Sequence, residues 1–298
     1  MKSNSERTIG LVLVLVGLVA IVGTLLFLRQ AENNPLLQGL QSPDLVTRTK
    51  AVEKATKLGP EETKTILILL DSPVEREAAT AVHVLEKADT RESRQMLVDA
   101  IETRMAGPEA VRALARLRDV SALPSMAEAL QSTSPGDGIR ADITQALGDI
   151  GDPQSIPTLE AFLRNHRPPS GAWMKGSSIR ENGARVHAIA SLARLDPTNE
   201  VAQDSVFELW SMIRVGVMSP ESEALQLEAL QTLALIPTED ALSIVRRAIE
   251  HETPAVQVEA IRVFALKNPP DRVKVLTELA ERGASPEARQ TAKDLLAR

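Results

Sequence analysis

Apolar residues along this chain fall into two patterns. The first is an unbroken run: Ile9 to Leu28 carries no charge and contains seven Leu, five Val, two Ile and one Phe. A helix of about twenty residues spans ~30 Å, the thickness of a bilayer's hydrocarbon core, so the run predicts a transmembrane anchor over 9–28. At roughly 0.3–0.6 kcal/mol per strongly apolar residue, insertion is favoured by about 5–9 kcal/mol before the three glycines subtract from it. A cleaved signal peptide has a shorter apolar region and a small-x-small cleavage site, whereas Arg29 and Leu18 stand where cleavage after Ala31 or Ala20 needs a small residue. Lys2 and Arg7 precede the run and Arg29 follows it. That bias favours a cytoplasmic N-terminus and an exported domain, periplasmic in a Gram-negative host.

The second pattern is periodic. Ser42-Pro43, Ser72-Pro73, Gly107-Pro108, Ser134-Pro135, Ser219-Pro220, Thr253-Pro254 and Ser285-Pro286 each combine a residue suited to capping a helix with a proline suited to its first position. The prolines fall 30, 35 and 27 residues apart in the first half and 34 and 32 apart at the end, a solenoid period. Each start leads through apolar residues at helical spacing to a bulky one: Leu58, Leu85, Leu114, Leu147, Leu192, Leu233, Phe264 and Leu295. A turn and a second apolar helix follow, as over Ile156–Leu163, Ala241–Ile249 and Val273–Leu279. Such a pair is too small to bury its own apolar face, so neighbours must stack. The prediction is an all-α solenoid of about seven helix pairs plus a C-terminal capping helix, Pro286–Ala297, preceded by one transmembrane helix. Its boundaries are an N-terminal flank 1–8, the anchor 9–28, a polar linker 29–41 and the solenoid 42–298, with an inserted loop at 165–178.

Composition narrows the interior and the chemistry. Aromatic residues are 2% of the chain and Tyr is absent, so Ala, Leu, Val and Ile must fill the core. The absence of Tyr also removes the pattern of a tetratricopeptide array, the structural rival at this period. A net charge of -6 with so few stacking side chains argues against a nucleic-acid partner. With no cysteine, there is no disulfide, thiolate metal site or cysteine nucleophile.

One segment is more specific. Ile143 to Phe162, ITQALGDIGDPQSIPTLEAF, resembles the short HEAT-like repeat first associated with phycobiliprotein lyases, in which an ALGxIGDPxAIPxL pattern joins two helices. Degenerate forms recur elsewhere, and the resemblance covers roughly Pro43 to the C-terminus. Within it, Gly148 and Gly151 are expected to permit the turn, Asp152 to cap the second helix and Pro153 to occupy its first turn.

Asp149 and Asp152 belong to that turn and need no catalytic explanation. His83, His166, His187 and His251 are scattered, and HExxH, GxSxG, GxxxxGK[ST] and GxGxxG are all missing. Some HEAT-like iron hydroxylases carry several His-Glu pairs; this chain has only His251-Glu252. The sequence therefore predicts no catalytic residues, metal, cofactor or small-molecule substrate. The main irregularity is the insertion, Asn165 to Ser178, where Trp173 and Met174 lie among basic residues. From Arg164 to Arg185 five basic residues face Glu181 alone, a local reversal of sign. Arg167, Trp173, Met174, Lys175 and Arg180 are the candidate partner-binding residues, with Trp173 as anchor; the bland reading is a surface loop whose Trp tucks back on its own helices. Trp210 reads as core in an extended second helix over Glu200–Val217.

The expected function is a membrane-tethered scaffold or adaptor that binds a protein partner in an envelope complex, through its second helices and the inserted loop. The alternative is a lyase-like or hydroxylase-like enzyme, favoured by any cluster of polar residues converging in a groove. A third is contact of the basic loop with anionic headgroups.

Overall fold

The computed structural model describes residues 34–134, 137–166, 177–213, 220–250 and 253–298. Among these residues there are sixteen α-helices, three short 3-10 turns and no strand. The chain divides into two compact units, one ending at Glu109 and one spanning Ala110–Arg298.

The first unit holds α1 (Pro35–Gln41), α2 (Leu45–Ala55), α3 (Pro60–Leu70), α4 (Glu75–Ala88) and α5 (Arg91–Asp99). Residues 34–41, read above as the end of a linker, are its first helix. Asn34 Oδ1 accepts from the amides of Leu36 and Leu37 at 2.9 and 3.3 Å, while Leu36, Leu37 and Leu40 are buried. Three leucines on one face outweigh the polar residues around them. Two pairs follow, α2 with α3 and α4 with α5. In both, the Ser-Pro dipeptide precedes the helix by two residues instead of starting it. Ser42 and Ser72 hydroxyls accept from the amides of Asp44 and Val74, making small turns that launch α2 and α4.

The second unit is built largely from α6 (Gly107–Arg116, which crosses the boundary), α7 (Leu123–Ser132), α8 (Ile139–Ile150), α9 (Ile156–Asn165), α10 (Ser177–Leu195) and α11 (Glu200–Ile213). It continues with α12 (Pro220–Leu235), α13 (Glu239–Ile249), α14 (Pro254–Lys267), α15 (Arg272–Arg282) and α16 (Pro286–Leu296). Here Thr253-Pro254 and Ser285-Pro286 do open helices, and Ser285 Oγ accepts from Ala288 N at 3.1 Å. Five pairs and a last single helix result. First helices pack on first helices along the unit (α8, α10, α12, α14, α16), and second helices line the other side.

Six of the eight bulky markers, from Leu85 to Phe264, are buried to within 1% of full burial. Leu58 and Leu295 are only half-buried. Leu58 lies beyond the end of α2 with a left-handed backbone, φ 46°. Trp210 is buried, as expected. Gly151 takes φ 80° at the end of α8, and Asp152 Oδ1 accepts from Gln154 N at 2.8 Å.

Gly148 has a different reason from the one expected. It lies inside α8, not in the turn, and a Cβ there would sit 2.2 Å from Ser191 Oγ on α10. The contact is tied by two hydrogen bonds: Ser191 Oγ donates to Thr144 O at 2.9 Å, and Thr144 Oγ1 donates to Ala184 O at 3.1 Å.

The expectation of a single-pass membrane protein with an exported domain is corrected. Among the described residues no helix is long and apolar enough to cross a membrane. Even the longest, α10, is interrupted by Arg180, Glu181, Arg185 and Arg194. The run 9–28 that suggested the anchor lies outside the described residues.

Candidate functional site

The second helices of the Ala110–Arg298 unit present two hollows at matching places. Between α7 and α9 lies a cavity of about 400 Å³ with Leu130, Gln131, Thr158, Phe162 and His166 in its wall. Two helix pairs further along, between α11 and α13, a cavity of about 280 Å³ is lined by Phe207, Trp210, Ser243 and Arg247 among others. Each hollow sets an aromatic ring beside polar atoms, the composition of a shallow side-chain pocket.

Beneath the first hollow is a buried polar cluster. Phe162 at the end of α9 tilts against the His166 ring, centroids 5.0 Å apart, and carries the Arg140 guanidinium over its face at 5.0 Å. Arg140, from α8, is fully buried; its Nη1 lies 3.3 Å from Glu181 Oε1 on α10. That distance gives strong attraction in a medium poor in water, yet no nitrogen of Arg140 is aligned for a hydrogen bond. His166 Nδ1 is 3.8 Å from the same Glu181 oxygen. One turn along α10, Arg185 is also fully buried. Its Nη1 donates to Leu163 O and His166 O at 3.2 and 2.7 Å, closing carbonyls that the end of α9 leaves open, and its Nη2 reaches Glu208 on α11 at 3.5 Å.

Burial pulls the His166 pKa below its ordinary value, the Arg140 charge pulls it further, and Glu181 opposes both. The imidazole is therefore neutral at physiological pH and is the member of the cluster that reaches the cavity. Burial likewise lowers the Arg140 pKa, with Glu181 opposing. Among the described residues no group of three or more His, Asp or Glu side chains is placed to hold a metal ion.

Of the residues singled out above, Arg167, Trp173, Met174 and Lys175 lie outside the described residues, and Arg180 is exposed on the first turns of α10. Arg164 pairs with Glu160 at 3.0 Å on the surface, whereas Arg185 points inward. The run of positive charge is thus divided between surface and core.

A regularity in the markers locates the cluster. Arg140 and Arg185 stand seven residues before Leu147 and Leu192, two turns earlier on the buried stripe. Gln226 and Gln257 stand seven before Leu233 and Phe264, and are 2% and 4% exposed. Long polar side chains thus occupy one equivalent inward position in four successive first helices. A polar residue on an otherwise apolar stripe was a readable signal. So was the turn motif, since Asp119 to Pro124, DVSALP, repeats Asp152 to Pro157, DPQSIP, and Asp119 Oδ1 accepts from Ser121 N at 3.0 Å just as Asp152 does from Gln154.

The family described as HEAT repeats matches residues 108–170 and 216–297, just under half of the chain. No curated protein sequence matches the chain. Among solved structures, the chain is similar to one from the complex of CpcE and CpcF of phycocyanin lyase from Nostoc sp. PCC7120, at 16% identity and TM-score 0.43, covering 89% of this chain and 94% of that one. Human deoxyhypusine hydroxylase in complex with glycerol aligns at 17% identity and TM-score 0.31, covering 93% and 98%. An engineered protein aligns at 18% identity and TM-score 0.29, covering 89% and 88%. Similarity at this level does not extend to residues or chemistry.

Proposed function

We propose that this HEAT-repeat protein is a binding scaffold whose second helices in the Ala110–Arg298 unit grip a partner protein. The carrying observation is the recurrence of an aromatic-and-polar hollow, at α7/α9 and again at α11/α13. Two side-chain pockets in register suit an extended segment that places anchors at intervals, the way repeat surfaces collect affinity from a few deep contacts. The expected loop residues Arg167, Trp173, Met174, Lys175 and Arg180 belong to the same proposal, because the chain carrying them leaves α9 at His166, in the wall of the first hollow.

Crosslinking and quantitative pull-down from native lysate test it. Thr158→Arg and Ser243→Arg fill the hollows without touching the buried layer, and each should reduce recovery of the same partner at least tenfold. Gln145→Arg, on a first helix, should leave recovery unchanged. Equal recovery from all three ends the proposal, and an unchanged partner set with Trp173→Ala removes the loop from it.

A second reading, modification of a bound protein, has one observation in its favour: a neutral imidazole in a cavity wall beside a buried carboxylate, at His166 and Glu181. A His166→Gln chain that holds its partner with full affinity but leaves it without a mass change seen with the wild type would favour that reading.

A further inference from the structure

We infer that the unit ending at Glu109 carries a separate docking groove for an acidic segment of a protein partner, between α2 and α4. The groove encloses about 310 Å³. Arg48, Arg76, His83 and Lys87 contribute to its wall and no carboxylate does, although the chain as a whole carries -6. Its apolar part comes from Val52, which is buried, and Leu45, which is 66% exposed at the rim.

The two arginines are set in place by the backbone. Arg76 Nη2 donates to Gln41 O at 3.1 Å and Arg48 Nη1 donates to Ser42 O at 2.6 Å, so consecutive carbonyls at the end of α1 hold two guanidinium groups near one another. Neither makes an ion pair among the described residues. Carbonyls orient an arginine without neutralising it; Arg48 also feels the charge of Asp44 one turn earlier, outside the groove wall, and both arginines retain donors in the fork geometry that fits carboxylates. Like charges gathered on a short surface repel, a cost that an anionic occupant would relieve.

The occupant's class follows from the lining. No Phe, Tyr or Trp lines the groove and His83 is the single ring in its wall, too little to stack successive bases, which disfavours single-stranded nucleic acid. The uncovered Leu45 beside Val52 asks for an apolar side chain, and a volume near 310 Å³ holds one or two. A short peptide alternating carboxylates with leucine meets both demands. This site is independent of the second-helix face proposed above and of any partner bound there.

The test uses the full chain and fluorescence anisotropy with a labelled ten-residue peptide of alternating Glu and Leu. Its Gln-Leu counterpart, an oligothymidylate and vesicles of phosphatidylserine are the comparison probes. The acidic peptide should bind, weaken as salt is raised, and bind at least tenfold more tightly than the Gln-Leu peptide. Arg48→Gln/Arg76→Gln should lose about tenfold in affinity. Lys87→Glu, whose side chain makes no described hydrogen bond, should lose severalfold with its circular dichroism unchanged, which separates loss of charge from loss of fold. Equal affinity for the charged and neutral peptides, wild-type affinity in Lys87→Glu, or tighter binding of the oligonucleotide or vesicles overturns the proposal.

Discussion

A methyl group added at Gly148 would meet Ser191 Oγ at 2.2 Å and Arg194 Nη2 at 2.8 Å. Alanine is favoured over glycine inside a helix by about 1 kcal/mol, but overpacking costs about 1–3 kcal/mol, and Ser191 is held by its bond to Thr144. Gly148→Ala should therefore lower stability in urea by roughly 1–2 kcal/mol, and adding Ser191→Gly should recover most of it. Backbone strain gives the opposite sign at Arg118, an exposed residue with φ 47°. Arg118→Gly is expected to raise stability by up to about 1 kcal/mol, since only glycine adopts that conformation without a clash. At the buried cluster, Glu181→Gln keeps the volume but strips Arg140 of its nearest counter-charge and leaves only the weaker pull of Asp137, which should cost about 3–5 kcal/mol. Replacing both partners by Met should restore much of that loss. His166 adds a pH signature. Its folded pKa lies below the ordinary 6.5, so the unfolded chain takes up the proton first. The stabilisation is complete well above pH 6.5 and is lost as pH falls through the folded pKa; the urea midpoint should decline below 6.5, and His166→Gln should flatten that decline.

Helices were legible wherever an apolar stripe ran uninterrupted. Second helices expected over 156–163, 241–249 and 273–279 appear as α9, α13 and α15, the first two extended by two residues at one end and α15 by one and three residues at its two ends. Starts were less legible, because Ser-Pro carries two meanings. At Ser285 the hydroxyl caps the helix directly, while at Ser42 and Ser72 it closes a turn two residues upstream. Sequence spacing alone does not separate a cap from a pre-turn, since both place an oxygen near free amides. The helix over 35–41 was hidden for another reason: Leu36, Leu37 and Leu40 amount to less than two turns of pattern, and only packing against the rest of the unit reveals their shared face. The cluster of Arg140, Glu181 and Arg185 was missed because charged residues near helix starts read as surface, although the seven-residue offset of the two arginines from Leu147 and Leu192 marked them as inward. Element by element, the interior rests on its large side chains: Phe264 is fully buried under the Arg246 guanidinium, 4.9 Å away. Phe264→Ala is expected to cost about 3–5 kcal/mol in the same urea assay.

Across the molecule, stability in a repeat array approximates a sum of intrinsic terms and neighbour interfaces. In this one, the interfaces differ in kind. Between α8 and α10 the contact combines a glycine notch, two interhelical hydrogen bonds and the Arg140–Glu181 ion pair, whereas Gln226 on α12 and Gln257 on α14 place uncharged amides at the equivalent depth. Because Arg140 belongs to one module and its counter-ion Glu181 to the next, these two modules are not interchangeable parts. Solenoids are commonly lengthened or shortened by cutting out a single module, but excising α10 and α11 here would strand a charge in a dry interior, and excising α8 and α9 would do the same to its mate. An engineer, or a recombination event, can splice this chain safely only by moving α8 through α11 as a block.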